Sequence, residues 1–212
     1  MVKLSQTSKL GCKSWSLIAR DHCPGSKGDD GQLVPACAGC YAAGGNYRFS
    51  NVKAPRLHNA EDWKRADWVE EMVQALQNDR YFRWFDSGDM AWIGLSEKIL
   101  EVMQRTPWCN HWLPTRMHKF AKFRSILSSM EALPNVVVRY SSDSIEGELT
   151  AGATTSTIVG SIGQLPVGAS LCEAYQREGK CGSCRACWSK DVSVIAYPAH
   201  GRAMLSIIAK GA

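Results

Sequence analysis

The cysteines carry the clearest chemistry in this sequence. Within LCEAYQREGKCGSCRACW (171–188), Cys181, Cys184 and Cys187 recur at every third position, and Cys172 stands nine residues before the first of them. Gly179 and Gly182 loosen the backbone where it must curl so that several sulfurs face one point. Four thiolates converging on one centre suit a tetrahedral zinc ion or a [4Fe–4S] cluster. Spacing favours the cluster. Zinc sites are usually built from two C-x2-C knuckles set apart, whereas C-x2-C-x2-C in one tight loop lets each cysteine take a different iron. Buried free cysteines acting as small hydrophobes fit poorly with a segment so rich in Glu, Arg, Lys and Gly. The expectation is one [4Fe–4S] cluster on Cys172, Cys181, Cys184 and Cys187, with zinc as the alternative.

A second set, Cys12, Cys23, Cys37 and Cys40, lies in a loop-rich opening segment (1–58). Pro24-Gly25 and Asp29-Asp30-Gly31 are turn chemistry, so this stretch reads as a spacer between Cys23 and the Cys37-Ala-Gly-Cys40 knuckle. Asn46, Arg48, Asn51 and Lys53 then suggest a polar approach to a site. A tight cysteine pair in a reducing compartment points to metal or redox chemistry, although Cys12 and Cys23 on their own are compatible with simple burial. Four thiolates would close a cluster, which can then pass electrons or brace the fold but has no iron free for a substrate. Two closed clusters would use eight of the nine cysteines and leave Cys109, in CNHWLP, as an ordinary buried side chain. Other catalytic patterns are absent: there is no P-loop, no G-x-G-x-x-G and no G-x-S-x-G. His111 and His118 are seven apart, which is not a helical metal spacing, and His22 beside Cys23 reads as a neighbour of the site rather than a ligand.

The elements that must position these residues are of mixed type. Lys13 to Ala19 reads as a short strand, and 59–78 as a helix capped by Asn59, with Trp63, Ala66, Val69, Met72, Val73 and Leu76 on one stripe. YFRWFDSGDM (81–90) has strand character and ends in Asp86-Ser87-Gly88-Asp89. A helix opened by Ser96, a strand over 109–117 bent by Pro114, a helix over 119–130 and a strand NVVVRY (135–140) follow. STIVGSI (156–162) and VSVIAYP (192–198) are further strands. Strand and helix alternating at this spacing imply an α/β fold with a parallel sheet of five or six strands, an incomplete (β/α) barrel or an open sheet. Ligands bind such sheets beyond the carboxyl ends of the strands, where Asp86, Ser87, Asp89, Thr115, Arg116, Ser141, Ser142, Asp143, Ser161 and His200 recur. The expectation is one domain over 1–212. Its core spans 59–165 and 192–200, with cysteine-rich segments at both ends (1–58 and 171–188).

Composition sets outer bounds. The chain has 212 residues and a net charge of +5 with both signs interspersed, which permits nucleic-acid binding without arguing for it. Eight tryptophans are many for this length, and several flank the cysteine segments. Met1 to Leu10 is polar and basic rather than a signal peptide, and no apolar run approaches a membrane span. Cytoplasmic residence with metal-bound thiolates is the simplest expectation.

GCKSWSLIARDHCPG (11–25), ACAGCYA (36–42) and CGSCRACW (181–188) together resemble the phage gene-product-eighty-eight family, across most of the chain. The cysteine knuckle also looks like that of radical S-adenosylmethionine (SAM) enzymes. These have a partial (β/α) barrel and a three-cysteine [4Fe–4S] cluster with one iron open to SAM. That resemblance implies Cys23, Cys37 and Cys40 as ligands, and Asp86, Ser87, Gly88 and Asp89 as the place where the SAM amino group binds. The chain differs in having thirteen residues between Cys23 and Cys37 and a fourth cysteine, Cys12, at hand. Three functions follow. The favoured one is a phage iron–sulfur protein with closed clusters for electron transfer or structure, in the host cytoplasm, served by a redox partner. The alternatives are a radical-SAM-type enzyme with a small-molecule substrate and a zinc-stabilised module for nucleic acid or protein.

Overall fold

The computed structural model describes residues 1–211, and these form one sheet of eight strands with six helices and several 3-10 turns. The strands are β1 (Ser5–Gln6), β2 (Lys13–Trp15), β3 (Tyr81–Trp84), β4 (Asn110–Thr115), β5 (Val136–Ser141), β6 (Thr155–Val159), β7 (Ser170–Leu171) and β8 (Val194–Pro198). The helices are α1 (Pro35–Ala38), α2 (Ser50–Asp62), α3 (Trp68–Ala75), α4 (Ile93–Arg105), α5 (Arg124–Glu131) and α6 (Arg202–Gly211). The strand order is β1-β2-β3-β4-β5-β6-β8-β7. Only β1 runs antiparallel to its neighbour; every other pairing is parallel. The expected α/β class with a mostly parallel sheet is therefore present, with eight strands rather than five or six. The two-residue strands β1 and β7 are too short to announce themselves by alternation. No helix among the described residues is long and apolar enough to cross a membrane.

Strand alternation gives the sheet two different faces. Phe82, Trp84, Leu113, Val136 and Val138 point to the face carrying α3, α4 and α5. There they bury with Trp68, Met72, Leu76, Leu95, Ile99, Met103, Leu127 and Met130. Trp15 joins them, edge-on to Trp68 at 5.5 Å and to Trp84 at 6.3 Å. His111 is also on this face, fully buried. It accepts from Trp84 Nε1 at Nδ1 (3.2 Å), and its Nε2 lies 2.8 Å from Thr106 Oγ1. Burial alone pushes its pKa down to about 3, so it stays neutral. The intervening residues Tyr81, Arg83, Trp112 and Arg139 look to the opposite face, which the 171–188 segment covers.

Two elements differ from expectation. The helix expected over 59–78 is already helical from Ser50 and breaks between Asp62 and Trp68. Asn59 is not a cap: it is buried, and its amide donates to Lys3 O (3.0 Å) and Ser16 O (3.1 Å). At the break, Lys98 Nζ takes the carbonyls of Trp63 and Arg65. Those are the acceptors that a helix end leaves open. Likewise α4 begins three residues before Ser96, whose hydroxyl is buried and donates to Trp92 O at 3.0 Å. Pro114 stays in β4 because Trp112 is the last residue there to pair with β3.

Candidate functional site

The first group of thiols stands beyond the carboxyl ends of β2 to β5. Backbone contact between β2 and β3 continues past both strands, through Phe85 N to Trp15 O (2.8 Å) and Leu17 N to Ser87 O (3.0 Å). Phe85 adopts a left-handed φ of 55°, unfavourable for a bulky residue, and this turns the chain into Asp86. Gly88 is required twice over: its φ is 78°, and a Cβ there would meet Leu17 Cβ at 2.5 Å. Asp89 N then donates to His22 O (2.7 Å), fixing the approach to Cys23. The expected spacer folds back on itself, with Lys27 bridging Leu33 and Val34 N returning to Ser26 O. Ala36 N donates to Asp143 O at 2.9 Å, which pins α1 to the end of β5. Behind the knuckle α6 packs so closely that a Cβ on Gly39 would fall 2.7 Å from Met204 Cα.

These contacts bring Cys23, Cys37 and Cys40 into one electrostatic neighbourhood. Burial pushes the Cys23 thiol up to about 12, and Asp89, Cys37 and Cys40 add to the rise. Burial raises Cys37 as well, opposed by Arg116 and Lys119 and reinforced by Cys40 and Asp143. Arg116 (3.1 Å) and Lys119 (2.6 Å) both pair with Asp143.

The 86–89 stretch sits at this group with every polar side chain already engaged. Asp86 is buried and paired with Arg56 at 2.8 Å, and it accepts from Ser16 Oγ and from Tyr47 OH (3.0 Å). Ser87 Oγ donates to Leu17 O and accepts from Arg56 Nε, each at 2.7 Å. Asp89 accepts from Thr115 Oγ1 (2.8 Å), Met90 N (2.8 Å) and Arg116 N (2.9 Å). Its pKa is raised by burial, which these three bonds only partly offset.

The second group lies on the face opposite α3, α4 and α5. Cys172 N donates to Ala196 O (2.8 Å) and Cys181 N to Lys9 O (2.7 Å). Trp188 reaches through to Phe82 O (2.9 Å) and packs edge-on against Trp112 at 5.3 Å and Tyr81 at 5.6 Å. Cys172, Cys181, Cys184 and Cys187 all line one cavity, with Ala174, Arg177 and Trp188. Burial raises the Cys181 thiol, as do Cys172 and Cys184, against the opposing charges of Lys9 and Arg177. Burial raises Cys187 too; a 3.5 Å contact with Tyr197 OH and the charges of Arg139 and Arg83 act the other way.

Arg139 anchors this segment. It is fully buried and donates to the carbonyls of Ala186 (2.9 Å), Cys187 (3.2 Å) and Ser189 (2.9 Å), and to Thr155 O (3.4 Å). Among the described residues no carboxylate pairs with it. Burial lowers its pKa, and Tyr197 and Cys187 act in the opposite sense. Arg83 stands between the two groups, its guanidinium 4.6 Å from the Trp112 ring centre. Its charge is felt by Cys12 and Cys187 on one side and influenced by Tyr41 and Asp86 on the other. Neither arginine was expected from spacing. The available signal was a charged residue in the middle of the otherwise apolar runs YFRWF and VVVRY.

Cys12 does not stand with Cys23, Cys37 and Cys40. It packs with Leu10, Trp112, Ala174, Cys181 and Trp188. Its thiol, pushed up to about 11 by burial, responds to Arg83, Arg185, Asp79 and Cys181. The physical reason is β2: Cys12 precedes that strand and Cys23 follows it, so the strand carries them to different ends of the sheet. Cys109 is buried beside Cys12, as an ordinary core side chain would be, and burial lifts it to about 12. Among the described residues, no group of three or more His, Cys, Asp and Glu side chains is arranged to hold a single metal ion. A cubane, by contrast, takes its thiolates at separate irons and needs them spread around a wider space. The donor set and the shared cavity of the second group suit that case.

A family model described as Gene product 88 matches residues 2–190, a span that includes both thiol groups and β1 to β7. No curated protein and no solved structure matches the chain.

Proposed function

We propose, for a chain that belongs to the Gene product 88 family, an iron–sulfur enzyme on a partly closed (β/α) barrel with two thiolate centres of different coordination. Cys172, Cys181, Cys184 and Cys187 would hold one [4Fe–4S] cluster fully ligated by protein. Cys23, Cys37 and Cys40 would hold a second through three thiolates, leaving one iron position for an exogenous ligand, which we assign to SAM. Such clusters supply one-electron chemistry when bound. The closed cluster on all four N-terminal cysteines is not carried further, because Cys12 lies with the other group.

The observation that carries this reading is the charge around the second group. Four thiols face one cavity, and the charges of Lys9, Arg83, Arg139 and Arg177 work against the burial that raises Cys181 and Cys187. A buried guanidinium without a carboxylate is costly. A thiolate-ligated cluster is an anion that would offset it. In the first group the chain's own residues hold the ligand loop. Asp89 fixes the Cys23 loop to the ends of β3 and β4, and Asp143 with Arg116 and Lys119 fixes α1. Arg83 would lie between the two centres, acting on Cys187 and acted on by Tyr41 and Asp86, which suits electrons entering at the closed one from a redox partner. Thiolate chemistry of this kind fits a reducing cytoplasm.

Metal and acid-labile sulfide analysis of anaerobically purified protein tests the reading. Iron and sulfide at about eight each per chain, with broad absorption at about 400 nm, are expected for two cubanes. Colourless protein with stoichiometric zinc contradicts it and favours the zinc module.

A further inference from the structure

A cavity of about 270 Å³ lies beside the knuckle, and no thiol lines it. Its apolar part is Ile18, Ala19, Ala42 and Ala43; its charged part is Arg20, Arg48, Lys53 and Arg56 against Asp21. Arg56 is neutralised by Asp86 at 2.8 Å. Arg20 spends one donor on Ala38 O (3.2 Å) and keeps its charge. Arg48 and Lys53 have no acidic partner among the described residues, and both are exposed. They bracket the first turn of α2, where Phe49 at the N-cap offers no side-chain acceptor. The positive end of the helix dipole is therefore left open beside them. Tyr47 completes the wall, its ring 4.9 Å beneath the Arg56 guanidinium. Next to Arg48 in the chain, Phe49 is 60% exposed.

We propose that this cavity binds a phosphate-bearing nucleotide unit, with Arg48, Lys53 and Arg20 on the phosphate and the apolar wall and Phe49 against the base. Three unneutralised cations converging on a small concave site are arranged for an anion. Phosphate esters match Arg in geometry and Lys in charge. An exposed aromatic beside a basic groove is what a base stacks on. The volume lies near the lower end of small-molecule sites, enough for one nucleotide. A free nucleotide and the end of a nucleic-acid strand share this chemistry. The site stands on residues outside both thiol groups, so it does not depend on the iron content.

The test uses anaerobically purified full-length protein. A nucleoside monophosphate is titrated by calorimetry, and a labelled single-stranded oligonucleotide by fluorescence anisotropy. The variants are Arg48→Glu and Lys53→Glu, with Lys122→Glu, an exposed lysine outside the lining, as a control of equal charge change. Binding should weaken about tenfold or more in each cavity variant and stay near wild type in the control. The salt slope of oligonucleotide binding should fall by about 0.7 per contact removed. Equal affinity for the two ligands assigns the site to free nucleotide, and much tighter oligonucleotide binding assigns it to a strand. No binding of either at millimolar concentration, or equal weakening by Lys122→Glu, overturns the proposal.

Discussion

The two thiol groups share a C-x2-C spacing yet stand in different electrostatic settings. Cys23, Cys37 and Cys40 lie at the strand ends among carboxylates as well as cations; Asp89 adds to the rise that burial causes at Cys23, and Asp143 to that at Cys37. Cys172, Cys181, Cys184 and Cys187 line one cavity where the charges acting on Cys181 and Cys187, other than thiols, are cationic. The first group has three members and loops held from outside. The second has four and is pinned by a buried arginine. Where charge is fully matched by protein, a centre is suited to storing electrons; where a ligand position stays open, it is suited to meeting a substrate.

The comparison breaks most severely at Arg139. Arg139→Leu removes the donor to three half-buried carbonyls of the 186–189 turn, of which Ala186 O keeps a 3.2 Å bond from Ser189 N. That should cost about 3 kcal/mol or more, read as a shift in the denaturation midpoint. It should also strip iron from the second group while the first keeps its own. Equal loss from both groups would mean that they are not separate centres.

Next in size are the ligand variants. Cys184→Ser and Cys37→Ser should each remove about four irons per chain, from different centres, so that the double variant is nearly iron-free. If either single variant lost nearly all the iron, the two groups would be one site.

Acid acts more gently, through the helix-covered face. His111 is as buried as Arg139 but has no carbonyl cluster to hold a charge, and its pKa falls to about 3. The unfolded histidine titrates near about 6.5. Stability from this group is therefore complete above that pH and lost as pH falls toward 3, because only the unfolded chain takes up the proton. Replacing His111 with Gln should flatten the dependence between about pH 6 and 4 in urea titrations. An unchanged slope would show that other groups carry it.

The smallest effect should be at Cys12. Cys12→Ser should leave the iron content of both centres at the wild-type level, since Cys12 adds a fifth thiol beside a group of four. A loss of about four irons would reinstate it as a ligand.

Much of this was legible from residue order. Apolar and aromatic runs located β3, β4, β5, β6 and β8, loose alternation located β2, and the triplet spacing of Cys181, Cys184 and Cys187 marked a segment whose thiols do share a cavity. Proximity in sequence misled at Cys12, because a strand as short as β2 still separates its two flanks across the sheet. Asp86, Ser87 and Asp89 were correctly expected at a strand end. Their partners Arg56, Ser16 and Thr115 come from other elements, and no local pattern reveals that their hydrogen bonds are already satisfied. Arg83 and Arg139 were visible only as charges in apolar strands, and what they balance depends on a segment 48 residues from Arg139 in the chain.

The central claim is that one centre is open and the other closed. Electron paramagnetic resonance of the reduced protein, with and without added SAM, tests it most directly. Two cluster signals are expected. One should shift on adding SAM, do so equally in Cys12→Ser, and disappear in Cys37→Ser while the other signal stays. Two signals that both ignore SAM, or that vanish together in Cys37→Ser, would contradict the account.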